Sequence, residues 1–311
     1  MNTQSNTMPE SFDSRVDVPP VISSTQPLYW SVRRELWENR WIYLVPLWLA
    51  AVFLFGFLIS TFRLASRLQF AASAITSAQY HESIVAPYDG AAGLMMAAMI
   101  LISVFYCADA LHSERGDRSI LFWKSLPVSD LTTVLAKACI PFVVLPVLAF
   151  AITIALYCIM LLLSSAAILA SGLSVAAYWK QFSFFETPML LLYHLLTAHT
   201  LWPAPVYCWL LLVSGWARRA TFVWAALPIV AIAAIEKLMF HTSYFGMMVL
   251  HRLIGHVTTA AMSVPDTFPT NPMTHITPLR FLASPGLWIG LAVATAFLFA
   301  AVRLRRYHGP L

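Results

Sequence analysis

The chain has 311 residues, of which 59% are hydrophobic and only 11% charged, with a net charge of +5. A soluble domain carries roughly a quarter charged residues, and no soluble fold needs apolar runs as long as these, so the sequence describes an all-α integral membrane protein. Four cysteines without CxxC spacing exclude a zinc module and a secreted disulfide framework and read as packing residues in the spans.

Residues 1–25 are polar, contain prolines and lack the basic start and apolar core of a cleaved signal peptide, so they read as a disordered tail. Residues 26–311 then form one membrane domain. LYWSVRRELWENR (28–40) reads as an interfacial helix. Trp30, Trp37 and Trp41 fall seven and four residues apart and share a face, with Arg33, Arg34 and Glu38 available to lipid headgroups.

A bilayer core about 30 Å thick needs about 20 apolar residues in a helix. Windows that meet this requirement place six spans at approximately 41–62, 88–110, 138–163, 187–217, 220–239 and 281–302. The fourth is expected to bend at Pro203 and Pro205, because proline removes a backbone donor and clashes with the preceding turn. Residues 164–180, rich in small side chains, are expected to lie at or fold back into the outer surface. The loop between the last two spans opens with an amphipathic stretch (SYFGMMVLHRLIGHVTTAAM) able to sit in the outer leaflet, and continues as a proline-rich loop. Gly286 and Gly290 form one GxxxG in the last span, a helix-packing signal.

With six spans both termini share a side. That side takes thirteen of the 19 Lys and Arg residues, the other six. The positive-inside rule makes it cytoplasmic. The basic balance therefore reflects topology and gives no reason to expect nucleic-acid binding.

The spans offer little chemistry. His194 and His199 are five apart in the fourth span, which on a regular helix, at about 100° per residue, puts them on different faces. They could not easily share one metal, so no metal site and no catalytic residue is expected. Tyr193, His194, His199 and Trp202 are weak candidates for lining a pathway. A haem- or metal-binding redox subunit using His194 or His199 is the competing reading from another class, and a non-transporting scaffold or immunity protein is a third. No carboxylate lies near the middle of a span, where an ion-coupled carrier places one, and no GxxxxGK[ST] phosphate loop occurs.

The most specific stretch is SERGDRSILFWKSLPVSD (113–130), between the second and third spans. Ser119 to Leu126 can form two helical turns, stopped by Pro127, and Ser129 or Asp130 can cap the next span. Its apolar residues would be costly to leave in water, and Trp and Arg are favoured at interface hot spots.

This layout resembles the membrane subunits of type-2 ABC exporters, the ABC-2 permease family, and ERGDRSILFWKSLPVSD is similar in detail to the coupling helix of a bacterial branch of that family. The resemblance covers the layout of nearly the whole chain but only about 25 residues closely. It implies a multi-pass subunit of the bacterial inner membrane, with an N-terminal interfacial helix, a cytoplasmic coupling helix and a re-entrant outer segment before the last span. Glu114, Arg115, Asp117, Arg118, Leu121, Phe122, Trp123 and Lys124 would contact a separate ATPase subunit, which alone would hold ATP and Mg2+. A second permease subunit, identical or homologous, would complete the pathway, and membrane lipids would surround it. Drugs, peptides, lipids or glycans are cargo in such a family. The short loop Ala217-Arg218-Arg219-Ala220 departs from the pattern, leaving little for a second ATPase contact.

Overall fold

A computed structural model describes residues 26–62, 77–116, 129–172, 174–180, 182, 184–254 and 278–307. The expected N-terminal tail lies outside the described residues. So do Asp117, Arg118, Leu121, Phe122, Trp123 and Lys124.

Every regular element among the described residues is helical. A short α1 (Gln26–Glu38) leads into α2 (Trp41–Thr61), and α3 (Ser77–Asp109) runs longer than the span expected there. One turn, α4 (His112–Gly116), closes this second passage. The third is α5 (Asp130–Cys139), a wide π turn over Ile140–Val144, and α6 (Leu145–Ala170). Pro141 has no N–H to return to the preceding turn, and the helix widens there. Ser129 caps α5, its hydroxyl accepting from the Thr132 N–H at 3.1 Å.

Past Leu163 the helix continues to Ala170, so the segment expected to lie on the surface is in its first part an extension of the span. The chain then turns at Gly172, which holds a φ of +71°. The short α7 (Val175–Trp179) folds back on α6, where Trp179 Nε1 donates to Ser165 Oγ at 2.8 Å.

The fourth passage is broken as expected. α8 (Glu186–Leu196) and a π turn over Thr197–Leu201 meet α9 (Ala204–Trp216) at 45°, across Pro203. Next come α10 (Thr221–Phe240), α11 (Tyr244–Ile254), α12 (Pro278–Ala283) and α13 (Pro285–Tyr307). Among the described residues five helices are long and apolar enough to cross a membrane, six when the bent pair counts as one. The chain is a multi-pass membrane protein.

The second passage is the most enclosed of these helices. Met96, Met99, Tyr106 and Cys107 pack there against Ile140, Leu145 and Leu156 of the third passage and Tyr207 and Leu211 of the fourth. Of the four free cysteines Cys107 and Cys208 are buried, but Cys158 is exposed on the bundle surface. The last helix lies along α9, where Ala294 packs with Ala204 and Cys208. α11 turns back along α10, with Gly246 facing Ala233, so the amphipathic stretch as far as Ile254 forms the return arm of a helical hairpin; the rest of it lies outside the described residues. The Glu236 carboxylate fixes that turn by accepting from the Thr242 hydroxyl and the Tyr244 and Phe245 N–H groups.

Candidate functional site

One end of the bundle, here called the base, collects α1, α4, the start of α5, the end of α9 and the last turn of α13. Four charged side chains that share one ion cluster there are almost wholly enclosed: Glu35 is 1% exposed, Glu114 5%, Lys137 2% and Arg305 6%. Burying a charge costs several kcal/mol unless it is paired and hydrogen-bonded, and each of these is.

Glu35 lies on the same face of α1 as Val32 and Leu36, which pack on the core. Its Oε1 accepts from Lys137 Nζ at 2.9 Å and Arg34 Nη2 at 2.8 Å, and its Oε2 from the Tyr106 hydroxyl at 2.8 Å. Burial alone would raise the pKa of this carboxyl; Lys137, by charge and hydrogen bond, and Arg34 overcome that and hold it below the usual glutamate range.

Glu114 receives three cations. Its Oε1 lies 3.1 Å from Lys137 Nζ and 3.0 Å from Arg34 Nη2, and its Oε2 accepts from Arg305 Nη1 at 2.5 Å. The Arg305 Nε turns to Asp130 Oδ1 at 3.2 Å. Asp130 and Lys137 are seven residues apart on α5, two turns, and so share a face. Among the described residues Arg34, Lys137 and Arg305 thus link Glu35, Glu114 and Asp130 in one cluster, and Glu38 joins its edge through Arg34 Nε at 3.5 Å.

The arrangement brackets the stretch between the second and third passages. Glu114 precedes residues 117–128 and Asp130 follows them, and one guanidinium grips both. The neighbouring Arg115 is buried too, donating from Nη1 to the Gly215 carbonyl at 2.6 Å, while the Leu111 N–H donates to the Ser214 hydroxyl at 3.3 Å. Glu114 and Arg115, expected from the sequence to face a partner, turn into the chain and bond there. The residues that lead into the segment are thus bonded to α1, α9 and α13.

Of the expected interfacial residues, Trp30, Arg33 and Trp37 form the outer face of α1. The Arg33 guanidinium lies 5.1 Å from the Trp30 ring and 5.0 Å from that of Trp37. Arg34 instead turns inward to the ion cluster, and Trp41 packs on the core.

The four pathway candidates separate into two places. Tyr193 and His194 stack edge to face at 5.7 Å, and His194 Nδ1 is 3.0 Å from the Leu190 carbonyl. His199 lies within the π turn, its carbonyl accepting from the Tyr207 hydroxyl, its buried Nδ1 without a hydrogen-bond partner among the described residues. A π turn takes more residues per turn than an α-helix, so it closes part of the angle a regular helix would set between the two histidines. Among the described residues no three His, Cys, Asp or Glu side chains are grouped to hold a metal ion.

Trp202 belongs elsewhere, to the end opposite the base. Its Nε1 donates to the His251 carbonyl at 2.9 Å, and the Arg252 guanidinium lies over its ring at 4.1 Å. Gly286 and Gly290 open on the same place: a Cβ on Gly290 would stand 2.7 Å from Arg252 Nη1. The room left by the GxxxG is filled by a guanidinium.

Sequence reasoning missed Glu35, Tyr106, Lys137 and Arg305. The available signals were a glutamate on the apolar face of α1 and a lysine on the buried side of α5. The partners lie up to 191 positions apart, and no local pattern connects them. Comparison of the chain with family models, curated proteins and solved structures finds no match.

Proposed function

We propose that this chain is the membrane subunit of an ATP-driven exporter of the ABC-2 type, docking a separate ATPase through residues 117–128. The observation that carries the reading is the clamp of Arg305 on Glu114 and Asp130, which fixes both ends of that segment. An element that receives force from a motor needs a stiff mounting. A buried ion cluster shared by four helical elements supplies one, because its geometry is set by many mutually dependent contacts.

With Glu114 and Arg115 serving the stem, the docking residues of this reading are Asp117, Arg118, Leu121, Phe122, Trp123 and Lys124. Their mixture of charge and bulk suits a protein groove. Nucleotide and Mg2+ belong to the partner, since the sequence carries no phosphate loop. Closure of two ATPase subunits would push the segment, and the clamp would pass the displacement to α1 and the last span together.

The meeting of α1, α4, α5 and the end of α13 at one end supports an even number of crossings, with the described termini on one side. The bias of basic residues toward that side supports a cytoplasmic base in a bacterial inner membrane. A second permease subunit would complete the pathway.

The test is co-purification of an ATPase subunit with the chain from the membranes of its host. Trp123→Ala and Asp117→Arg should each abolish that association while leaving the membrane subunit folded. Retained association and retained ATPase stimulation in both variants would refute the docking assignment.

A further inference from the structure

Arg252 differs from the cations at the base. It is half-buried on α11, and its interactions are two carbonyl oxygens and one aromatic ring: Nη2 donates to Gly286, Nη1 to Trp202 at 3.4 Å, and the guanidinium lies over the Trp202 ring. No carboxylate of the described residues pairs with it. A guanidinium has five N–H donors, so these two bonds leave three. Partial burial works against its charge, and the Gly286 carbonyl places it at the N-terminal end of α13, where the helix dipole is itself positive. Two positive ends converge with no anion to balance them among the described residues.

The position in the bundle narrows the ligand. From Gly290 to Arg305 along α13 is roughly 22 Å at 1.5 Å per residue, against a hydrocarbon core about 30 Å thick. The buried ion cluster marks one boundary of the apolar zone, and Arg252 stands near the other. Trp202 and the exposed Trp288 lie at the same level, as tryptophans do where hydrocarbon meets headgroups. We infer that Arg252, oriented by Trp202 and seated in the gap at Gly286 and Gly290, binds a phosphate anion at the end of the bundle opposite the base. A phospholipid headgroup and a soluble phosphate share this chemistry, and the depth favours the lipid. The inference stands independently of the exporter reading.

The full chain purified in a maltoside detergent would be titrated with dioctanoyl-phosphatidylglycerol, dioctanoylglycerol and inorganic phosphate, following the melting temperature. Phosphatidylglycerol should raise it and dioctanoylglycerol should not; a matching rise with inorganic phosphate would assign the site to soluble anions as well. Arg252→Gln should weaken the phosphate-dependent effect by about tenfold in ligand concentration, the loss of one charge-assisted contact pair. Should that variant fail to fold, Gly290→Ala keeps the charge but drives Nη1 from its seat, and should weaken binding similarly. Equal responses of wild type and the folded variants, or no response to either phosphate compound, would overturn the assignment.

Discussion

Arg305, in the last turn of α13, donates to Glu114 at 2.5 Å across 191 positions of the chain, and both side chains are buried. The pair ties the end of the last span to the root of the segment between the second and third. A buried ion pair adds little net stability when intact, because desolvation offsets attraction, but removing one partner strands the other. Lys137 and Arg34 still face Glu114 in its absence, so Arg305→Met should lower unfolding stability by about 1–3 kcal/mol. The loss in the Arg305→Met, Glu114→Gln double variant should be smaller than the sum of the two single losses. A double-mutant cycle in denaturant reads the coupling; additive effects would mean that the pair does not form.

The Tyr106 hydroxyl donates to Glu35 Oε2 inside the bundle. Phenylalanine keeps the ring and removes that donor, leaving one carboxylate oxygen short of a partner. Tyr106→Phe should cost about 1–3 kcal/mol, read as a lowered melting temperature with an unchanged helical spectrum.

Acid should loosen the base through Glu35. Lys137 and Arg34 hold its folded pKa below the ordinary value of 4.5, against the opposing effect of burial. An unfolded chain then binds more protons than the folded one as the pH falls, so the contribution is fully present above about pH 4.5 and lost as the pH drops through the folded value. Glu35→Gln should flatten the melting temperature's dependence on pH below 4.5. An equally steep dependence in the variant would assign the acid effect to other carboxylates.

Ala220 holds a φ of 50°, in the left-handed region, at the tight turn between α9 and α10. That conformation costs an L-residue about 1–2 kcal/mol, and glycine escapes most of it at some entropic cost in the unfolded chain. Ala220→Gly should raise stability by up to about 1 kcal/mol, and thermal unfolding in detergent would show it.

The spans were legible because membrane thickness imposes a length on apolar helices, and the break at Pro203 because proline has no N–H. The hairpin of α10 and α11 was legible only as amphipathicity, since its turn depends on Glu236 accepting from residues six to nine positions later. Lys137 read as the charge that begins a span. Its role between Glu35 and Glu114 depends on helices brought together only by the fold. Gly286 and Gly290 read as a helix-packing signal, and what lies against them is the Arg252 guanidinium, with Trp202 beside Gly286. In each case the residue type was informative, and the missing part was a partner distant in sequence.

The most direct test of the proposed docking is affinity purification of the epitope-tagged chain from the membranes of its host, with identification of any ATPase subunit that co-purifies. Wild type should retain the ATPase in stoichiometric amount, and Trp123→Ala and Asp117→Arg should lose it while their melting temperatures stay at the wild-type value. Equal retention by all three would contradict the account.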